Sequence, residues 1–220
     1  MSHRLFALIV VVLAGGMPLL THATDAAAIT LQGNGKGAAP CMACHGLDGG
    51  GQAAAGYPRL AGLDATYLQK QLDDFASGSR DNAVMKPTAT VLSEDERHAL
   101  AVYYSKLPLP PNLAKPATPM PAIDSAGAML ANRGDWSRGV PGCVQCHGPG
   151  GVGVGASFPP LAGQSAAYIE AQLKAWQNGT RQNDPLQLMQ HLSKALSAQD
   201  IQAVAAWFAA QPLPATGTAP

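Results

Sequence analysis

Apolar residues along the chain fall into short helical stripes separated by turn formers. Leu68, Leu72 and Phe75 recur at i, i+4 and i+7, and Ile169, Leu173 and Trp176 draw the same stripe in the second half. Gly78 and Gly179 stand where those two helices should end. A final helix is predicted from Ser93, with Glu96 completing a capping box, and its apolar side carries Leu100, Tyr103 and Tyr104. Its counterpart opens at Ser197 and carries Ile201, Val204, Trp207 and Phe208. Neither half contains a credible alternation of apolar and polar positions, so the expected class is all-α.

The N-terminal pattern is of another kind. His3 and Arg4 precede the apolar run Leu5–Ala14, and Thr21-His22-Ala23 supplies small residues with a cut expected after Ala23. A charged start, a short apolar stretch and a small-residue exit make residues 1–23 a secretory signal. An uncleaved anchor is the other reading, but the run is short against the ~20 apolar residues of a bilayer span. An exported, periplasmic protein is expected.

The chain also repeats itself. Cys41-Met42-Ala43-Cys44-His45-Gly46 falls on Cys143-Val144-Gln145-Cys146-His147-Gly148, and Tyr57-Pro58-Arg59-Leu60-Ala61-Gly62 on Phe158-Pro159-Pro160-Leu161-Ala162-Gly163. Tyr67 matches Tyr168, Gly78-Ser79-Arg80 matches Gly179-Thr180-Arg181, and Met85 matches Met189. A unit this long is a duplicated domain, since solenoid repeats run to about 20–50 residues. The expected organisation is a first domain over 24–107, a linker over 108–123 and a second domain over 124–220. Six prolines lie between Pro108 and Pro121, which makes the linker extended and semi-rigid.

Composition adds one constraint and one exclusion. Aromatic residues are only 5% of a chain that is 47% hydrophobic, so the cores are very small or are filled by something besides side chains. Without the leader, 13 basic and 14 acidic residues remain. That balance excludes the basic footprint of a nucleic-acid binder. Residues 24–107 hold seven basic and nine acidic groups against five of each in 124–220, a small difference that would steer docking.

The candidate chemistry sits at residues 41–45 and 143–147, where Cys-x-x-Cys-His occurs twice. Two cysteines so spaced can each form a thioether to one of two neighbouring vinyl groups of haem, and the next residue aims its imidazole at the iron from the same side. Cys41, Cys44, Cys143 and Cys146 would thus attach two haem c groups, with His45 and His147 as iron ligands. The ring would supply the missing core. One zinc held by both cysteine pairs is a poorer reading, because each pair lies inside its own repeat. A thioredoxin-type pair would need a strand–helix setting, and plain disulfides leave the two histidines unexplained.

Met85 and Met189 each precede the cap of the final helix, Ser93 or Ser197, by eight residues. That matched register favours them as sixth ligands, thioethers that raise the potential. Methionine as core filler is the alternative. His191 competes with Met189 but has no equivalent in the first half; His98 reads as a solvated surface residue. Pro58 follows His45 by 13 residues, and Pro159 and Pro160 follow His147 by 12 and 13. A proline carbonyl there would accept the second ring N–H of each histidine and fix its orientation; a rigid turn is the alternative.

In this order the motifs resemble the class I cytochrome c fold, and their duplication resembles the cytochrome c4 family of dihaem periplasmic electron carriers. The likeness runs over roughly residues 30–212. It implies an all-α protein of two tandem class I cytochrome c domains, with His45 and Met85 on one iron and His147 and Met189 on the other. It further implies haem pockets that face each other across a domain interface, and a proline carbonyl behind each histidine. The chain departs from the pattern at Leu63, where the second half has Gln164, in the glycine-rich loop from Gly148 to Gly155, and in its long proline linker.

The function expected is single-electron transfer between respiratory partners, either as a free shuttle or as the cytochrome subunit of a dehydrogenase or oxidase chain. Partners would be redox proteins such as a quinol–cytochrome c reductase, a dehydrogenase or a terminal oxidase, with any membrane contact running through one of them. The rival is a dihaem enzyme, such as a thiosulfate dehydrogenase or a peroxidase-like protein, with one open haem site. It would need acid–base groups beside that iron, and no further cluster of His, Cys or carboxylates is evident.

Overall fold

The computed structural model describes residues 25–114 and 121–213. The leader over 1–23, Met120 and the middle of the proline-rich segment lie outside them. The first half runs α1 (Ala26–Gln32), α2 (Met42–His45), α3 (Ala65–Ser77), α4 (Met85–Thr90) and α5 (Glu94–Lys106). The second half answers with α6 (Ala126–Arg133), α7 (Val144–His147), α8 (Ala166–Asn178), α9 (Leu188–Lys194) and α10 (Ala198–Ala210). One two-residue ribbon, β1 (Gly134–Asp135) with β2 (Val140–Pro141), is antiparallel and too short for any sequence alternation to mark it.

Local chemistry explains most of the boundaries. Asp64 and Ser165 cap α3 and α8 by accepting the N–H of Tyr67 and Tyr168 at 2.9 and 3.2 Å. Both helices stop at a left-handed glycine, Gly78 and Gly179. The capping box at α5 is present, Ser93 N–H donating to Glu96 Oε2 at 2.7 Å, and α10 has an equivalent one built from Ser197 and Asp200. The first helix of each half, α1 and α6, has no long apolar stripe; its signals are the N-caps Asp25 and Ser125.

Each half buries its own cluster. In the first, Ile29, Leu63, Leu68, Leu92, Leu100 and Tyr104 meet where α1, α3 and α5 pack; Tyr103, expected inside, is only partly buried. In the second, Leu130, Ile169, Trp176, Ile201, Trp207 and Phe208 meet among α6, α8 and α10. Two separate cores are the physical content of the duplication. The linker packs on both: Leu109 lies against Gly62, Leu113 against Gly163, and the Leu113 carbonyl accepts Leu213 N–H at 2.8 Å.

The halves are joined by main-chain bonds, Asp81 N–H to the Thr180 carbonyl at 2.8 Å and Gln182 N–H to the Ser79 carbonyl at 2.9 Å. Gln164 adds a reciprocal pair, accepting Arg59 N–H at 3.0 Å and donating to the Arg59 carbonyl at 3.1 Å. The mirror-image pair cannot form. The repeat places Leu63 opposite Gln164 and Pro160 opposite Arg59, and proline has no N–H to offer. Gln164→Leu strands a buried backbone N–H and carbonyl, so a loss of about 1–3 kcal/mol is expected. Urea unfolding would measure it; an unchanged midpoint would mean water replaces the amide at no cost.

Candidate functional site

The two Cys-x-x-Cys-His segments become α2 and α7, one turn each, with the histidine as last residue. In both, the histidine N–H returns to the first cysteine's carbonyl at 2.9 Å. Gly46 and Gly148 follow at φ 78° and 77° and end the turn. All four cysteines are partly buried and free. The zinc reading fails, since no metal-binding group of three or more His, Cys, Asp or Glu forms among the described residues.

His45 and His147 are buried, and each points Nδ1 at a proline carbonyl: Pro58 at 3.0 Å and Pro159 at 2.8 Å. A carbonyl only accepts, so Nδ1 carries the proton and the Nε2 lone pair is left for a metal. Burial pushes both imidazoles below the usual histidine range, more than the proline carbonyls raise them, which keeps the rings neutral. Pro160, the other candidate, is not the acceptor. The repeat alignment pairs Pro58 with Pro159, and the loop behind His147 is one residue shorter than the loop behind His45.

Behind each proline lies a glycine whose role was not read from the sequence. Gly51 N–H donates to the His45 carbonyl at 2.8 Å and Gly153 N–H to the His147 carbonyl at 2.7 Å. Both have positive φ, 80° and 90°, and press on the proline segment: a Cβ at Gly51 would lie 2.5 Å from the Pro58 carbonyl carbon, and one at Gly153 2.8 Å from the Pro160 nitrogen. Histidine, proline and glycine thus form one clamp, built twice. The signal that could have revealed it is the glycine spaced six residues after each histidine.

His45 and His147 open onto one cavity of about 1060 Å³ shared by the two domains, whose walls also include all four cysteines, Pro58, Pro159, Pro160, Met85 and Met189. Met85 opens α4 and Met189 stands in the first turn of α9. His191 lies exposed in the last turn of α9 and is not part of that wall. His98 is exposed too, with Nδ1 2.8 Å from Gln69 Oε1.

The walls fit haem. Arg59 Nε and Trp176 Nε1, one from each domain, are buried donors without a partner among the described residues. Arg59 is 2% exposed, and burial alone brings its guanidinium down to about 10. Such donors match the carboxylates that a haem ring carries on its edge, and the thiols and imidazoles match its vinyl groups and iron. Tyr168 senses nearby cations as well: burial would raise its hydroxyl, but Arg80 and Arg181 bring it below the usual phenol range.

Comparison with known proteins agrees with this geometry. The model described as "Cytochrome c" matches residues 33–108, and that described as "Cytochrome C oxidase, cbb3-type, subunit III" matches residues 126–208. A "Thiosulfate dehydrogenase electron acceptor" of Stutzerimonas stutzeri is 52% identical over 90% of this chain and 93% of that protein. A cytochrome c4 of Pseudomonas aeruginosa is 37% identical over 91% of this chain and 96% of its own. Among solved structures, thiosulfate dehydrogenase from Marichromatium purpuratum superimposes with a TM-score of 0.77 at 44% identity, over 86% of this chain. This chain spans 40% of the length of that one. Reduced cytochrome c4 from Pseudomonas stutzeri gives a TM-score of 0.66 at 34% identity, over 78% of this chain and 93% of that one.

Proposed function

The chain belongs to the dihaem cytochrome c4 family and transfers electrons on two covalently bound haem c groups; on that premise we propose that it is the periplasmic electron acceptor of a thiosulfate-oxidising dehydrogenase. Two supports come from relatives. Proteins of Stutzerimonas stutzeri and Thiomonas intermedia, 52% and 56% identical to it, bear the name of electron acceptor. In the Marichromatium purpuratum enzyme, a segment of this size is part of a longer thiosulfate dehydrogenase chain. The relatives with those names accept electrons, so the carrier reading is preferred over the enzyme reading.

The single observation that carries the reading is the doubled clamp facing one shared cavity. In each domain the proline carbonyl holds the imidazole in one tautomer and one orientation, so the Nε2 donor is in place before and after an electron arrives. The cysteines would tether the group, and Met85 or Met189, in the wall of the same cavity, would supply a thioether donor. When bound, each haem iron supplies reversible one-electron chemistry. Ligands held in one orientation keep reorganisation small. A closed-shell sulfur anion oxidised to a closed-shell product releases electrons in pairs, and two sites in one chain can take one each. The domain units are 24–107 and 124–220, the leader ends at Ala23, and onward partners are a terminal oxidase or another respiratory carrier.

Stopped-flow mixing of the oxidised haem-loaded protein with thiosulfate dehydrogenase and thiosulfate tests this. Reduction of both haems within the enzyme's turnover time is expected, with rates that fall as salt is added. Reduction no faster than that of an unrelated cytochrome would sink the partner assignment while leaving electron transfer itself intact.

A further inference from the structure

Where the domains meet, the segments carrying Arg80 and Arg181 run antiparallel. The two guanidinium groups share both of their amide acceptors. Gln71 Oε1 accepts Arg80 Nη1 at 2.9 Å and Arg181 Nη2 at 3.0 Å. Gln172 Oε1 accepts Arg80 Nη2 at 2.6 Å and Arg181 Nη1 at 2.9 Å. Nitrogens bonded to one oxygen are at most about 6 Å apart, so the cations sit side by side. Arg80 also donates to the Tyr168 hydroxyl at 2.7 Å. Each lies on an aromatic face, Arg80 at 4.4 Å from the centre of Phe75 and Arg181 at 4.0 Å from that of Trp176.

Two like charges in this position need an explanation. Both residues are 5% exposed, and among the described residues neither makes an ion pair. Asp74 reaches the network through Asn183, at 2.6 Å, but it is matched by Lys70. Buried cations satisfied by neutral amides and a phenol hydroxyl are costly unless something charged faces them. Both arginines belong to the wall of the cavity that the two haem sites share.

We propose that Arg80 and Arg181 act as one cation pair, belonging to neither domain, that raises the reduction potential of both haems together. The oxidised iron carries one more positive charge than the reduced iron, so a fixed buried cation disfavours oxidation at each site. Both guanidiniums are buried, so salt screens the effect weakly. The arginines act through their field and touch no reacting atom. Electrons would then be drawn into either domain by a device that both domains built.

Gln71→Glu is the sharpest test, because it keeps the shared acceptor oxygens and sets a negative charge between the guanidiniums. In spectroelectrochemical titration of the haem-loaded protein, both reduction steps are expected to move to lower potential. Each haem should be several-fold less reduced at a fixed potential. Arg80→Gln should lower both steps likewise, and Arg80→Lys, which keeps the charge, should leave both near their original positions. A shift confined to one haem, no shift in Gln71→Glu, or a shift in Arg80→Lys as large as in Arg80→Gln would overturn the proposal. If Arg80→Gln does not fold, the Gln71→Glu titration decides alone.

Discussion

Gly51→Ala and Gly153→Ala are each expected to destabilise their own domain by about 2–5 kcal/mol and to lower its haem loading. A Cβ at positive φ costs about 1–2 kcal/mol, and crowding a packed segment adds about 1–3 kcal/mol. Here the crowded atoms are the backbone of Pro58–Arg59 and the ring and nitrogen of Pro160, none of them the far end of a flexible side chain. Displacing the proline segment loosens the carbonyl that holds the histidine, so the cost falls on the proposed iron ligand too. Gly56 and Gly150 provide the control: both have positive φ, but a Cβ would meet nothing within 4 Å. Alanine at those positions should cost only the backbone part. Urea unfolding and the haem-to-protein ratio check this; equal losses at Gly51 and Gly56 would show that the clamp is not under steric pressure.

The second large effect concerns Met85 and Met189, proposed above as the methionine ligands. In the unaltered protein, carbon monoxide should leave the reduced spectrum unchanged. Met85→Ala and Met189→Ala should each let carbon monoxide bind half of the haem, and the double variant should let it bind all. The potential of the opened site should fall with the loss of a soft donor. His191→Ala should change nothing, since His191 is exposed and stands outside the cavity wall. A Met189→Ala protein that still resists carbon monoxide would remove Met189 from the ligand set. Binding by the unaltered protein would instead revive the reading of an enzyme with an open iron.

Much of the fold was legible because its signals are local. The stripes of α3 and α8, the capping box at Ser93 and the terminal glycines each depend on residues a few positions apart, and all of them form. The short helices α1 and α6 were not legible. Seven or eight residues cannot hold a helix alone, and these two are stabilised by packing on α5 and α10. The choice between Pro159 and Pro160 was legible only in part. Spacing from the histidine favoured Pro160, whereas the alignment of the two halves favoured Pro159, and the difference is one residue of loop.

The seam between the domains lay beyond reach. The departure at Leu63 and Gln164 was visible in the sequence, but its meaning depends on Arg59, whose N–H meets Gln164 from 105 residues away. Arg80 and Arg181 were visible as repeat partners, yet nothing in their surroundings along the chain brings two guanidiniums onto the same amide oxygens. The sequence alone determined the haem chemistry, since thioether attachment and an imidazole need only the order of five residues and helix caps only their nearest neighbours. Tertiary structure alone decided which groups face each other across the cavity. That pairing turns on distances between residues far apart in the chain, set by how two cores pack rather than by any local preference.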